Sequence, residues 1–217
     1  MKKEKKERII VAMSGGVDSS VAALLLHKAG YDVIGVTMRL WKSTQKTSKF
    51  SKQCCSVDDI EDARMVCNSL GIPHYVFNFE NEFQQHVVDY FIKEYDIGRT
   101  PHPCLACNDR LKFDFLLNKA IKLEAKFVAT GHYARIFNDG KEFKLLKAID
   151  HKKDQSYVLF NLGQKELSRL MFPVGEYNKS QIREFAEQFD LEVATKPDSQ
   201  EICFIPDGDY KKFIAEK

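Results

Sequence analysis

An apolar strand that runs straight into a glycine turn and then a helix is the feature that most restricts this chain. Arg8-Ile9-Ile10-Val11-Ala12-Met13 is a continuous apolar run, the mark of a strand buried in a parallel sheet. Ser14-Gly15-Gly16-Val17-Asp18-Ser19 follows. From Ser19 to Ala29 the apolar face of Val21, Ala22, Leu24, Leu25 and Leu26 predicts a helix that Gly30 closes. The same alternation recurs downstream. Strands are predicted at Val33–Met38, His74–Phe79 and Phe127–Gly131. Helices are predicted from the capping-box-like Ser56-Val57-Asp58-Asp59 to Gly71, over Glu82–Tyr95, and from about Asn108 to Leu123. Four strand–helix alternations imply an α/β fold with a doubly wound, mainly parallel sheet. The pattern then changes to a hairpin over Tyr133–Ile149, turning at Asn138-Asp139-Gly140-Lys141. Helices around Gln155–Leu162 and Lys179–Phe189 and a short strand around Leu191–Ala194 complete a small hairpin and helical extension.

Hydrophobic residues make up 44% of the 217 and charged residues 29%, a globular balance without a low-complexity tract. No apolar run approaches the roughly 20 residues of a membrane helix. The charged start, Met1 to Arg8, leads into a strand without an h-region or cleavage site, so no signal peptide and no membrane are expected. A cytoplasmic location follows as an expectation. In a reducing compartment the six cysteines point to metal or redox chemistry rather than disulfide staples. The net charge of +2 sets up no global basic field. Locally, Arg39, Lys42, Lys46, Lys49 and Lys52 lie in a stretch to Gln53 that has no acidic residue, a surface loop suited to tracking phosphates or simply to being solvated.

The glycine turn falls between the first strand and first helix, where open α/β sheets bind ligands. Gly15 and Gly16 permit a tight turn that brings N–H groups against phosphate oxygens, and Ser14, Ser19 and Ser20 add hydroxyls beside the helix N-terminus. The loop fits neither G-x-x-x-x-G-K-[ST] nor G-x-G-x-x-G, and it has no lysine to stabilise a transferred γ-phosphoryl group.

Cys104-Leu105-Ala106-Cys107 is a C-x-x-C just before a predicted helix, whose dipole favours thiolates, and Cys203 lies far off in the chain. Three readings stay open. Cys107 and Cys203 can work as a sulfur-handling pair with one bearing a persulfide; Cys104, Cys107 and Cys203 can ligate an iron–sulfur cluster with one open iron; or a zinc site can recruit His102 as fourth ligand. Cys67, on an apolar helix face, reads as an inert core thiol, and Cys54 and Cys55 allow the same reading.

The pattern S-G-G-x-D-S resembles the PP-loop, or ATP pyrophosphatase, signature. With it, Gly98-Arg99-Thr100-Pro101, Cys107-Asn108, Lys112-Phe113, Ala129-Thr130-Gly131-His132-Tyr133-Ala134-Arg135, Lys153-Asp154-Gln155-Ser156-Tyr157 and Asp198-Ser199-Gln200-Glu201-Ile202-Cys203-Phe204 resemble the tRNA-specific 2-thiouridylases along nearly the whole chain. That resemblance implies an adenine nucleotide alpha-hydrolase-like, Rossmann-like PP-loop fold. It also implies adenylation of the C2 oxygen of a tRNA wobble uridine with release of pyrophosphate, then replacement of that oxygen by sulfur from an upstream donor. Carried over by position, Ala12, Met13, Ser14, Gly15, Gly16, Val17, Asp18, Ser19, Met38 and Gly131 would bind ATP, with Asp18 on Mg²⁺-pyrophosphate. Cys107 would be the nucleophile and Cys203 the persulfide carrier. His102, Pro103 and Cys104 would meet the target base, and His132, Lys153, Asp154 and Gln155 the tRNA. Phe50, Tyr133 and Phe204 offer rings for stacking on a splayed base, although core or rim packing is the commoner role for any one of them. Two departures stand out. Many members carry Asn-Pro-Asp where this chain has His102-Pro103-Cys104, which removes a candidate base and adds a third thiol, as in [4Fe-4S]-dependent relatives. Members also usually continue into a central domain and a C-terminal β-barrel. Residues 1–200 are therefore expected to be the catalytic domain and 201–217 the start of a truncated central domain, with the barrel absent.

Overall fold

The computed structural model describes residues 6–41, 57–198, 202–205 and 208–215. The basic stretch beyond Trp41, with Phe50, Cys54, Cys55 and Ser56, lies outside them. Five parallel strands form the central sheet: β1 (Arg8–Ala12), β2 (Asp32–Arg39), β3 (His74–Asn78), β4 (Phe127–Ala129) and β7 (Leu170–Met171), in the order β3-β2-β1-β4-β7. The chain leaves β1 toward β2 and β3 on one side and returns to β4 on the other. The topological switch point therefore lies at the carboxyl end of β1, where the glycine turn begins.

Alternation along the strands builds a core on each face of the sheet. Ile10, Ile34, Val36 and Val128 join one core, while Ile9, Val11, Val33 and Ala129 join the other. Helices α1 (Val17–Lys28), α2 (Val57–Ser69) and α8 (Lys179–Gln188) cover the second core with Val21, Ala63, Cys67 and Ile182. The first core is covered by two long helical stretches. One runs from α3 (Glu80–Phe83) through a π-helical segment Gln84–Val88 into α4 (Asp89–Asp96). The other runs from α5 (Pro103–Ala106) through a π-helical segment Cys107–Phe115 into α6 (Leu116–Lys122). Helices on both faces make the sheet doubly wound, as the alternation predicts.

The antiparallel hairpin is β5 (Ala134–Asn138) with β6 (Phe143–Lys147), and the Asp139 carboxylate accepts from the N–H groups of Lys141 and Glu142 in its turn. Gln155–Leu162 contains only a 3₁₀ turn, Ser156–Leu159, followed by α7 (Gln164–Leu167). The strand predicted around Leu191–Ala194 does not form. Leu191, Val193 and Ala194 are buried, but the chain turns: the Ala194 and Lys196 N–H groups donate to the Leu191 and Val193 carbonyls at 2.9 and 3.0 Å, and the Ala194 and Lys196 carbonyls accept from the Arg183 guanidinium at 2.9 and 3.4 Å, so turn and side-chain bonds replace a ladder. The fifth strand is instead the two-residue β7, paired with β4. Beyond residue 201, Phe204 and Ile205 enter the first core, and α9 (Tyr210–Ala215) stacks Tyr210 on Tyr95 with ring centroids 5.3 Å apart. Among the described residues no helix is long and apolar enough to cross a membrane.

Candidate nucleotide and thiol site

The glycine turn is held from within and from behind. Gly15 has φ +72°, and a Cβ there would lie 2.3 Å from the Asp59 carbonyl oxygen, so both conformation and space require glycine. Ser19 and Ser20 hydroxyls donate to the Gly16 carbonyl at 3.1 and 2.9 Å, and the Ser14 N–H donates to Ser19 Oγ at 3.2 Å. Ser20 is fully buried, which leaves Ser14 and Ser19 as the hydroxyls facing the ligand side. The Val17 side chain packs in the second core.

A cleft of about 370 Å³ opens over this turn. Ala12, Met13, Ser14, Asp18 and Ser19 form one wall, extended by Met38 from the end of β2 and by Thr130, Gly131 and His132 after β4. His102, Pro103, Cys104 and Cys107 line the cleft as well, together with Gln155, Tyr157 and Cys203. Residues nearly 200 positions apart in the chain thus line a single cavity, with the phosphate-type loop and all three singled-out thiols on its surface. Gly15, Gly16 and Val17 are not among the cleft's lining residues; Gly15 and Val17 are buried and Gly16 is half-buried. Lys153 and Asp154 are also off it. Lys153 pairs with Asp198 at 2.7 Å, and Asp154 accepts from the Ala148 and Ser156 N–H groups, ordering the turn that carries Gln155 and Tyr157.

The sequence predicts that Cys104 and Cys107 precede their helix, whereas both lie inside it. Pro103 takes the first helical position, where its missing N–H costs nothing, and the π-helical turn starts at Cys107. Cys104 is exposed, Cys107 buried and Cys203 half-buried. Cys67 is walled off in the second core, and burial pushes its thiol up to about 12, as expected of an inert cysteine. Among the described residues, no group of three or more His, Cys, Asp or Glu side chains is arranged to hold a metal ion. The three thiols therefore share a cleft but are not arranged as a metal-binding group.

Electrostatics concentrate on Asp18. Its carboxylate accepts from Tyr133 Oη at 2.7 Å and from Lys179 Nζ at 2.8 and 2.9 Å. Lys179 also reaches Asp198 at 2.8 Å, and Arg183 reaches the same carboxylate at 3.2 Å. Burial alone would raise the Asp198 carboxyl, but its bonds to Lys153 and Lys179 outweigh that and hold it at about 2. Burial, joined by the Asp18 carboxylate, pushes the Tyr133 phenol well above its usual range, so it stays a proton donor to Asp18. His132 is buried, shares a 2.6 Å hydrogen bond with Thr130 Oγ1, and has its pKa driven well below the usual value by burial and by Lys112. It meets a ligand as a neutral imidazole.

Tyr133 and Phe204 take the core role: each is 3% exposed and packed in a core, and Phe204 also borders the cleft. The exposed ring at the cleft is Tyr157, 64% exposed and edge-on to His102 at 6.4 Å between centroids. Lys179 and Lys196 belong to no motif in the sequence, and Tyr157 stands there only as the end of the Lys153–Tyr157 match. For Lys179 a signal existed, because a cation in the first turn of a helix opposes the helix dipole and implies an anionic partner.

A parallel sheet with its switch point at a lysine-free S-G-G-x-D-S turn defines the class, a PP-loop type α/β domain. A family model described as the tRNA methyl transferase HUP domain matches residues 7–207, and the chain belongs to that family. It is 51% identical over 215 residues to the tRNA-specific 2-thiouridylase MnmA of Carboxydothermus hydrogenoformans, which covers 98% of this chain and 59% of that protein. With the protein of the same name from Heliobacterium modesticaldum the identity is 53%, over 98% of this chain and 55% of the relative. The chain thus spans little more than half the length of these curated relatives. Among solved structures, a 4-thiouridine synthetase in complex with RNA and ATP superposes with a TM-score of 0.60 at 16% identity, covering 97% of this chain and 50% of that one. The NMN synthetase of Francisella tularensis superposes with a TM-score of 0.52 at 18% identity, covering 90% of this chain and 67% of that one. These two likenesses show the fold.

Proposed function

We propose that this chain is the nucleotide- and sulfur-handling part of an enzyme that uses ATP to replace the C2 oxygen of a tRNA wobble uridine with sulfur. The observation that carries the reading is the single cleft that joins the S-G-G-x-D-S loop to Cys104, Cys107 and Cys203. Its family membership and its relatives' names support the same activity. Methyl transfer, the other chemistry named in the family description, has no use for a phosphate loop facing a thiol pair.

In the first step the uridine O2 attacks the α-phosphorus of ATP, and the bond from that phosphorus to the bridging oxygen breaks to release pyrophosphate. The Gly15–Ser19 backbone, Ser14 and Ser19 hydroxyls and the α1 N-terminus receive the phosphates, while Met38 and Gly131 bound the adenosine side. Asp18 fits Mg²⁺, since a single carboxylate beside nucleotide phosphates is that ion's usual site. When bound, Mg²⁺ neutralises charge on the departing pyrophosphate. Lys179 holds Asp18 in place and is itself a cation within reach of the same charge.

In the second step a persulfide on Cys203 attacks C2 through its terminal sulfur and AMP leaves. Cys107 thiolate then attacks Cys203 Sγ, breaking the persulfide S–S bond, leaving its outer sulfur on the base and forming a Cys107–Cys203 disulfide. A dithiol reductant and an upstream sulfur donor reset the pair. The base enters beside His102, Pro103 and Cys104, flipped from its strand, with Tyr157 as the stacking ring and His132 and Gln155 toward the RNA, while Lys153 and Asp154 would meet the tRNA outside the cleft.

The test is pyrophosphate release with and without RNA. Release is expected only with a tRNA carrying a wobble uridine, and equal turnover without RNA would refute the reading. An anaerobic preparation that thiolates while colourless supports the persulfide pair. A brown preparation whose absorbance disappears on replacing Cys104, Cys107 or Cys203 by Ser would assign the sulfur to a cluster instead.

A further inference from the structure

Lys196 lies outside the cleft, yet it grips the loop that forms the cleft's floor. Its ammonium donates to the Gly15 carbonyl at 3.0 Å, to Asp59 Oδ1 at 2.6 Å and to Asp62 Oδ2. Three donors meet three acceptors, so the group is fully used. The two aspartates come from the first turns of α2, whose Asp59 backbone also presses on Gly15. None of the three side chains lines the cleft. Burial would lower the lysine's pKa, but the two carboxylates outweigh it and raise it, so the ammonium stays charged.

The consequence follows from peptide geometry. In a trans peptide the C=O of one residue and the N–H of the next point to opposite sides, and the chain has no cis bond among its described residues. A Gly15 carbonyl fixed on Lys196 therefore turns the Gly16 N–H away from Lys196, toward the phosphate side of the turn. We propose that Lys196 is a positioning residue for phosphate binding, acting from behind the loop by fixing the Gly15–Gly16 peptide with its N–H aimed at the nucleotide's phosphates. The glycines that let this peptide turn also leave it without a preferred orientation, and the lysine supplies one. The inference rests on the nucleotide reading above and extends it to residues outside the cleft.

The test separates phosphate recognition from everything else in the site. Binding of MgATP and of adenosine is measured by calorimetry on the wild-type chain and on Lys196→Met, with a thermal melt of each unliganded protein. The expected result is a roughly tenfold loss of MgATP affinity, equivalent to about 1.4 kcal/mol, with adenosine affinity within about twofold of wild type. If Lys196→Met does not fold, Asp62→Asn keeps the lysine and removes one of its two carboxylates. Its expected result is a MgATP loss of about threefold without an adenosine loss. Equal losses for both ligands, or undiminished MgATP binding, would overturn the positioning role. A wild-type chain that binds neither ligand would instead overturn the nucleotide reading itself.

Discussion

Replacing Gly131 by Ala isolates the close approach on which the cleft depends. Gly131 follows β4, and an added Cβ would lie 2.7 Å from the Ser19 nitrogen, 2.8 Å from the Asp18 carbonyl carbon and 3.1 Å from Asp18 Cβ. Ordinary contact begins at 3.4 Å, so the start of α1 and the β4 turn must separate by 3.4 − 2.7 = 0.7 Å. The two nearest obstacles are backbone atoms and the third is a Cβ fixed to that backbone, so no flexible side-chain end can yield. Overpacking of this kind costs about 1–3 kcal/mol, which lowers Tm by about 2–12 °C for a chain of this size. The same displacement moves Asp18 and the α1 N-terminus away from bound phosphates. MgATP affinity measured by calorimetry is therefore expected to fall at least as steeply as stability. A variant that melts with wild-type Tm and binds MgATP equally well would show that β4 and the phosphate loop are not in the contact described.

Three further outcomes are expected. Lys179→Met leaves Asp18 and Asp198 without their shared cation, which costs about 1.5–3 kcal/mol in chemical denaturation and slows pyrophosphate release; unchanged release would remove Lys179 from the phosphate site. The Asp198 carboxyl is held at about 2 against an ordinary 3.8. Its stabilisation is complete above pH 4 and is lost as pH falls through about 2, so Asp198→Asn is expected to flatten the acid limb of a Tm–pH curve between those values. Tyr157→Ala is expected to weaken tRNA binding by about 1–3 kcal/mol while Tyr157→Phe does not, because the ring and not its hydroxyl stacks; equal losses from both would refute stacking.

Much of the fold is legible because buried parallel strands and amphipathic helices leave strong local patterns. The Arg8–Met13 run and the Ser14–Ser19 turn are local in sequence and local in space. What local pattern misses is where backbone groups find partners. Leu191–Ala194 has a strand's alternation, but the chain turns there, with the Ala194 N–H on the Leu191 carbonyl and Arg183 on the Ala194 carbonyl, and no ladder forms. Pro103 looks like a breaker and is a helix start, which moves Cys104 and Cys107 from a loop onto a helix. At the site, the motif residues are visible in sequence, whereas the charges that hold them are not. Lys179 and Lys196 reach Asp18 and Gly15 across more than 160 positions; Lys179 is marked only by its place in the first turn of α8, and Lys196, isolated in a polar stretch, carries no mark of its partner. Tyr133 and Phe204 follow the commoner pattern, in which aromatic rings near a motif are core rather than platform.

The central claim is that one cleft both activates a uridine with ATP and delivers sulfur to it. Its most direct measurement is mass spectrometry of nucleosides from a wobble-uridine tRNA incubated with the protein, MgATP and a persulfide donor. 2-Thiouridine is expected at the wobble position with the wild type, and none with Cys107→Ser or Cys203→Ser, although both variants still bind MgATP. Sulfur incorporation that survives loss of either thiol, or that proceeds without ATP, would contradict the claim.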